Sequence, residues 1–408
     1  MMFISDGERM HYGFSQKMIK TSNTTLLFNL IRKEMPISRA ALAKKTGLSP
    51  TTVSILVDEM IKDKWIYETG QGENPDPGRK PILLEVNASR GYVITVEIFS
   101  GGYKCNLYDI CIQKIGEMDV RIATYTSQDI CSTISEMLEA KKIAHDRLLG
   151  IHIVFPGLFD AETGRLRFSV VIPFDEMVDT NVVEVLKEQF SNAVVMISNN
   201  GGVIAFSEFI AGDNVDMPLL SVNIDEGISG GMVLSDMRNN TKTCLPLEIG
   251  HIVVDSDGDR CKCGNRGCLE TLCSTPALFR ALNEKAQLGL KFRETFGAEC
   301  NHTAMETAAA YFKKNDPKVM PVFQDYVYHL CCGLVSVVNL CNIKCIHIGG
   351  SISKLGDGFA DLVLNTLREY FVPLNASLDI TLELFSNDNE RIGRTAAIMT
   401  MDELFKNS

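Results

Sequence analysis

The stretch Gly250-His-Ile-Val-Val-Asp-Ser-Asp-Gly-Asp-Arg-Cys-Lys-Cys-Gly-Asn-Arg-Gly-Cys-Leu-Glu270 constrains this chain more than any other. It gathers His251, Cys261, Cys263 and Cys268 in one short, polar, glycine-bearing loop. One imidazole and three thiolates complete a tetrahedral Zn²⁺ shell and leave no position open for water, which points to a structural zinc rather than a catalytic one. Such a loop has little apolar surface in which to bury three thiols, which favours a metal over the competing reading of a reduced thiol loop without one.

The chain has thirteen cysteines. Residues 1–20 mix charge with polarity and lack the apolar stretch of an export signal, so a cytoplasmic chain with reduced thiols is expected. Cys131, Cys331, Cys341 and Cys273 then read as small core residues. No apolar run is long enough to span a bilayer, and no membrane partner is expected. A length of 408 residues, 45% of them hydrophobic and 22% charged, suits two or three globular domains and excludes a disordered chain. The net charge of −11 argues against a uniformly basic nucleic-acid binder. Its distribution is uneven: residues 17–81 hold eleven Lys or Arg against seven Asp or Glu. A mildly basic head on an acidic body suits contact with phosphates at one end only.

In that head, Leu26, Leu27, Leu30 and Ile31 pattern a helix from Asn23 to Glu34, which Pro36 ends. A second helix opens at Ser38 as N-cap and closes at Gly47. A third opens near Ser49 with Pro50 in its first turn and buries Val53, Leu56, Val57 and Met60. Helix, glycine turn, helix is the helix-turn-helix pattern, whose second helix enters the major groove by its N-terminal residues. Here these are Ser49, Thr51, Thr52 and Ser54, with Arg39 on the preceding helix. Strands at 65–67 and 82–84 enclose a Gly/Pro-rich wing ending in Arg79 and Lys80, two cations within reach of a duplex backbone. Double-stranded operator DNA is the expected partner. A helical hairpin plus β-hairpin used for protein contacts is the alternative.

Past Glu85 the chain alternates strands (91–98, 103–109, 148–155, 193–198, 219–224) with helices (127–144 and from Val203), which is an α/β rhythm. Two glycine-rich turns, Asp225 to Gly231 and Gly349-Gly350-Ser-Ile-Ser353, allow backbone N–H groups to approach a ligand. Glycine-rich turns without ligands are also common.

The string Gly-His…Cys-x-Cys-Gly-x-x-Gly-Cys-Leu-Glu resembles the ROK family (repressors, open reading frames, kinases). Pro156-Gly157, Asn199-Asn200, Asp225–Gly231, Leu247-Glu-Ile-Gly-His251 and Gly349–Ser353 fall in family order, and the winged head matches the repressor branch. The resemblance implies an α/β chain: a winged helix-turn-helix (1–85) followed by a two-lobed actin-like (ribonuclease H-like) sugar-kinase fold. Its first lobe spans 86–200 with a returning C-terminal helix (388–408). Its second lobe, 201–387, carries the zinc loop and oligomerisation helices of a homodimer or homotetramer. It also implies a carbohydrate or sugar-phosphate effector held by Asn199, Asn200, Glu248, His251 and Glu270, with Gly157 and the turn near Pro173 at the mouth. Asn199 and Asn200 have the competing reading of an Asx turn, and Glu270 that of a helix cap.

Two features separate the chain from the family's kinases. Asn200 stands where those enzymes carry the aspartate that takes the proton from the attacking hydroxyl, and a carboxamide has no proton affinity to do so. Glu97-Ile-Phe-Ser-Gly101 stands where they carry Asp-x-Gly-Gly-Thr, so Phe99 meets the phosphate cradle. A regulator that binds sugar without phosphorylating it is therefore expected. An ATP-dependent hexose kinase with a regulatory head is the alternative, and a regulator controlled by a protein partner is a third reading.

Overall fold

The computed structural model describes the chain except residues 1–15, 72–79, 100, 123, 161, 170–171, 173–180, 213–215, 237–240, 294–298, 371–379, 386–389 and 407–408. The expected wing tip with Arg79 and the turn at Pro173 lie outside the described residues. The chain divides into two compact units: residues 1–92, 109–113 and 401–408, and residues 93–108 with 114–400.

The first unit contains α1 (Gln16–Glu34), β1 (Ile37–Ser38), α2 (Arg39–Thr46), α3 (Pro50–Lys62), β2 (Ile66–Gln71) and β3 (Ile82–Val86), with the strands in order β1-β3-β2. Its caps follow from the sequence. The Ser38 hydroxyl accepts the Ala41 N–H, and the Ser49 hydroxyl accepts the Thr52 N–H at 3.1 Å. Gly47 ends α2 at φ 71°, a left-handed conformation that a side chain would resist. Leu27, Phe28, Ile31, Leu42, Val53 and Val57 are fully buried. Residues 401–406 complete this core. Phe405 lies 4.8 Å, ring to ring, from both Phe28 and Trp65, and Asn29 donates to Asp402 at 2.8 Å.

The second unit is built on two five-stranded sheets. One has the order β10-β7-β4-β5-β6, from β4 (Tyr92–Phe99), β5 (Gly102–Asp109), β6 (Lys114–Arg121), β7 (Leu148–Phe155) and β10 (Val194–Asn199). Helices α4 (Ser127–Ala140) and α5 (Val182–Gln189) and the short hairpin β8 (Leu158–Phe159)–β9 (Leu166–Phe168) interrupt this run of strands. The other sheet has the order β13-β12-β11-β14-β15, from β11 (Leu219–Ile224), β12 (Ile228–Asp236), β13 (Thr241–Leu247), β14 (Cys345–Gly349) and β15 (Thr381–Leu384). Helix α6 (Asn200–Ala211) joins the sheets. The remaining helices are α7 (Leu269–Cys273), α8 (Thr275–Ala286), α9 (Glu299–Lys313), α10 (Met320–Cys341), α11 (Asp357–Tyr370) and α12 (Arg391–Lys406). The largest core joins the second sheet to α8–α11 through Leu278, Phe279, Phe312, Phe323, Leu330 and Phe359.

The start of α12 lies on the first sheet. Ala396 is buried with Val154 and Val203, and His152 is enclosed between strand and helix. The His152 ring meets the Ala396 carbonyl at 2.9 Å through Nδ1 and the Ser198 hydroxyl at 2.8 Å through Nε2. Burial pushes its pKa down to about 4, so it works here as a neutral hydrogen-bonding group.

All thirteen cysteines are free, and Cys131, Cys273 and Cys331 are buried as expected of core residues, while Cys341 is only partly covered. Among the described residues, no helix is long and apolar enough to cross a membrane.

Candidate ligand cleft, metal centre and duplex-binding head

The loop after β13 converges as its composition predicts. The ligand atoms of His251, Cys261, Cys263 and Cys268 all lie within 4.8 Å of one another. Cys261 Sγ is 3.5 Å from His251 Nδ1, and Cys263 Sγ is 3.6 Å from Cys268 Sγ. A tetrahedral metal with bonds of about 2.3 Å to sulfur has edges of about 3.8 Å, so the four donors fit a closed zinc shell. The backbone sets this geometry. Cys261 N–H donates to Asn265 O, Gly264 N–H to Cys261 O and Leu269 N–H to Ile252 O. Gly267 turns the chain at φ 63°, where a Cβ would lie 1.4 Å from the Asp255 carbonyl oxygen, so only glycine closes the loop.

One wall of that loop faces a cleft of about 550 Å³, within the range of small-molecule sites. Its lining includes all six residues expected to hold a sugar: Gly157, Asn199, Asn200, Glu248, His251 and Glu270. Their availability differs. Asn199 is nearly buried and its amide is committed: Oδ1 accepts the Gly201 N–H at 2.8 Å and Nδ2 donates to Gly157 O at 3.0 Å. It therefore caps α6, the Asx role that competed with ligand binding in the sequence. Asn200 Oδ1 also accepts the Gly201 N–H, at 2.9 Å, which leaves its NH₂ group to donate. Glu270 Oε2 accepts the Ile228 N–H at 2.9 Å rather than capping its own helix, and its other oxygen is available. Glu248 is exposed to the cleft; its carbonyl accepts the His251 N–H at 3.0 Å, while its carboxylate makes no hydrogen bond or ion pair with a described residue.

The glycine-rich turns prove partly structural. Gly230 and Gly231 lie inside β12, not in a turn. A Cβ on Gly231 would come within 2.3 Å of Gly201 O, so this glycine lets α6 sit directly on the strand, while a Cβ on Gly230 would come within 2.7 Å of the Ile249 side chain. The second turn is bonded to the first, with Ser351 N–H donating to Asp225 Oδ1 at 2.6 Å.

Two lining residues carried no sequence signal, Asn223 and, from α12, Ile392, while Ser229 and Asn265 line the cleft from the glycine-rich stretch and the cysteine loop without having been singled out there. Glu97 also faces the cleft, and Asn106 Nδ2 donates to it at 2.8 Å. Burial pushes the Glu97 carboxyl up to about 7 against the opposing pull of Lys104 and the Asn106 amide. A carboxyl whose folded pKa is raised favours folding while protonated and loses that contribution as pH climbs from the ordinary carboxylate range through 7. Glu97→Gln is therefore expected to leave stability at pH 4 almost unchanged and to raise it at pH 8 by on the order of 1–3 kcal/mol, read from urea unfolding at the two pH values.

In the head, Thr51 is exposed and makes no side-chain hydrogen bond to a described residue. Ser49 and Thr52 are bonded to each other through their hydroxyls at 2.8 Å. Arg39 is not a free cation. It pairs with Asp58 at 2.7 Å and Glu68 at 3.1 Å and donates to the Ser54 hydroxyl at 3.1 Å. It thus fastens α2 to α3 and β2, and a phosphate would have to compete with two carboxylates for it. Lys80 is exposed. Ile55, 54% exposed one turn into α3, escaped the sequence reading, although an apolar side chain there suits a thymine methyl group.

Residues 97–400 match the ROK family. The xylose repressor of Bacillus subtilis is 27% identical over 359 residues, covering 86% of this chain and 87% of that protein. A solved ROK family transcriptional regulator, described as a homologue of the Escherichia coli MLC protein, superposes with a TM-score of 0.72 at 23% identity, over 96% of this chain and 98% of its own. The ROK hexokinase of Thermus thermophilus superposes with a TM-score of 0.57 at 19% identity, over 75% of this chain and 97% of its own.

Proposed function

Because this chain belongs to the ROK family, we propose that it is a sugar-responsive transcriptional repressor. In this reading the head binds operator DNA, and a carbohydrate occupies the cleft without being phosphorylated. The observation that carries this is the double position of His251, which lines the cleft while its Nδ1 sits in the metal cluster. Zinc held by His251, Cys261, Cys263 and Cys268 would fix the imidazole and supply structural rigidity. Asn200, Glu248 and Glu270 then offer the amide and carboxylate groups that vicinal hydroxyls need. The similarity to a xylose repressor over most of both chains supports the same reading.

Phosphoryl transfer is disfavoured by two groups. Asn200 cannot accept a proton from a sugar hydroxyl. Phe99 stands in the strand that would cradle phosphate, and the Arg121 guanidinium lies 4.2 Å from its ring centroid. An ADP-release assay with several hexoses is expected to show no turnover above background, and turnover abolished by Asn200→Ala would reverse this assignment.

A ligand shifts DNA affinity only by the difference in its affinity for the two states of the protein. The repressor, as a homodimer or homotetramer in the cytoplasm, would place two heads on an inverted repeat. Gel retardation with operator DNA across a panel of sugars tests this, and unchanged binding with every sugar counts against it. Thr51→Ala is expected to weaken operator binding by about 3- to 10-fold, the loss of one hydrogen bond at the groove, with sugar affinity retained. Loss of sugar binding instead would remove α3 from the duplex-reading role.

A further inference from the structure

We propose that Glu208 is a positioning residue for the cleft: through Arg391 it fixes the first turn of α12, the turn that carries Ile392 into the ligand space. The inference rests on the reading of the cleft as a sugar site. Glu208 and Arg391 do not line the cleft, whereas Ile392 does.

The need for an outside anchor follows from the sequence of α12. The helix opens on Arg391-Ile-Gly-Arg394 and has no Asp or Glu in its first turn. Two cations thus stand at the positive end of the helix dipole, where a carboxylate is favoured. The carboxylate comes from α6, 183 residues away in sequence: Arg391 Nη1 donates to Glu208 Oε1 at 2.7 Å.

Topology gives this contact its weight. The strands of the first sheet lie within residues 92–199 and those of the second within 219–384. The chain therefore passes between the sheets twice, once through α6 and once through the segment that leads into α12. The Glu208–Arg391 pair clips these two passages together.

Glu208 is itself firmly seated. It is 4% exposed, and His347 on β14, also buried, places Nδ1 3.6 Å from its other carboxylate oxygen. A buried carboxylate deprived of its cation is costly, so this pair holds more firmly than one on the open surface. The turn has no slack toward the first sheet either. A Cβ on Gly393 would fall 2.7 Å from Glu97 Oε1 and 2.9 Å from Asn106 Nδ2, so the turn rests directly on β4 and β5. Held in this way, Ile392 packs against the cluster of Val154, Val203 and Ala396 while lining the cleft.

Isothermal titration of the full chain with xylose, glucose and N-acetylglucosamine tests the inference. With whichever of these sugars the unaltered chain binds, Ile392→Ala is expected to weaken binding by roughly 3- to 10-fold, the loss of one apolar contact. Glu208→Gln is expected to weaken it by about the same factor, and the double variant by no more than Ile392→Ala alone. The ion pair is a single-point contact that a lysine can also make, so Arg391→Lys should keep the affinity within about twofold. Arg391→Gln should reproduce the loss, and it replaces Glu208→Gln should that variant fail to fold. Amide exchange in residues 391–396 should rise in Glu208→Gln and stay unchanged in Leu148–Phe155. Unchanged affinity in Glu208→Gln, losses that multiply in the double variant, or unchanged exchange in 391–396 overturns the inference and leaves the sugar site standing. Binding of none of the sugars by the unaltered chain overturns the sugar-cleft reading itself and this inference with it.

Discussion

Phe28→Ala is expected to destabilise the first unit by about 3–5 kcal/mol, the usual cost of truncating a buried phenylalanine. Phe28 is fully buried, with Trp65 6.0 Å away edge to face and Phe405 4.8 Å away, so its removal opens a cavity lined by two large rings that cannot collapse into it. A small domain has only a few kcal/mol of net stability, so a loss of this size leaves much of the head unfolded at physiological temperature. The readout is direct, because Trp65 is the only tryptophan in the chain and reports on this core alone. Urea unfolding followed by its fluorescence should show a midpoint shifted far down, and operator binding should be lost. A shift worth less than about 1 kcal/mol would mean that the three rings are not the head's central packing unit.

Cys268→Ser carries the second large effect. Cys268 is fully buried and does not line the cleft, so its replacement alters the metal shell without touching the ligand directly. Serine is a poor zinc ligand at neutral pH, and the shell falls from four donors to three. Metal content after dialysis is expected to drop from about one zinc per chain to near zero. Because His251 stands on the same loop and faces the cleft, sugar affinity should fall by roughly 10- to 100-fold in parallel. Normal zinc content with normal sugar affinity would contradict the arrangement, and zinc loss with unchanged sugar affinity would detach His251 from recognition.

Much of this structure can be read directly from the chain. Ser38, Gly47 and Ser49 cap their helices as their residue types require, and the strands Leu148–Phe155 and Leu219–Ile224 keep the bounds their apolar runs suggest. The C-terminal helix expected over 388–408 is α12, which begins at Arg391. Other features were hidden. Strand β6 reads as a polar segment, because one side of it is exposed at the edge of its sheet. The two residues of β1 carry no strand signal, and they pair with β3 because α1 and α2 bring them alongside it.

Side-chain availability was the least legible property. Arg39 in the head looks the same in sequence whether it meets phosphate or the carboxylates of Asp58 and Glu68. Asn199 and Asn200 are identical neighbours, yet the first is consumed by Gly201 and Gly157 while the second keeps its amide donors. The glycines at 230 and 231 look like a ligand turn until α6 is seen resting on Gly231 and Ile249 packed against Gly230.

The sequence by itself determined what depends on neighbours along the chain: helix caps, strand alternation, and a loop whose four donors are close enough in sequence to meet on one ion. Only the tertiary structure decided what depends on distant partners: which polar atoms remain unpaired, that Glu97 is half-buried against the cleft, and that α12 supplies both Ile392 to the cleft and Phe405 to the head's core. Burial and pairing are set by segments hundreds of residues apart, and the pattern of any one segment holds no record of what the others bring to it.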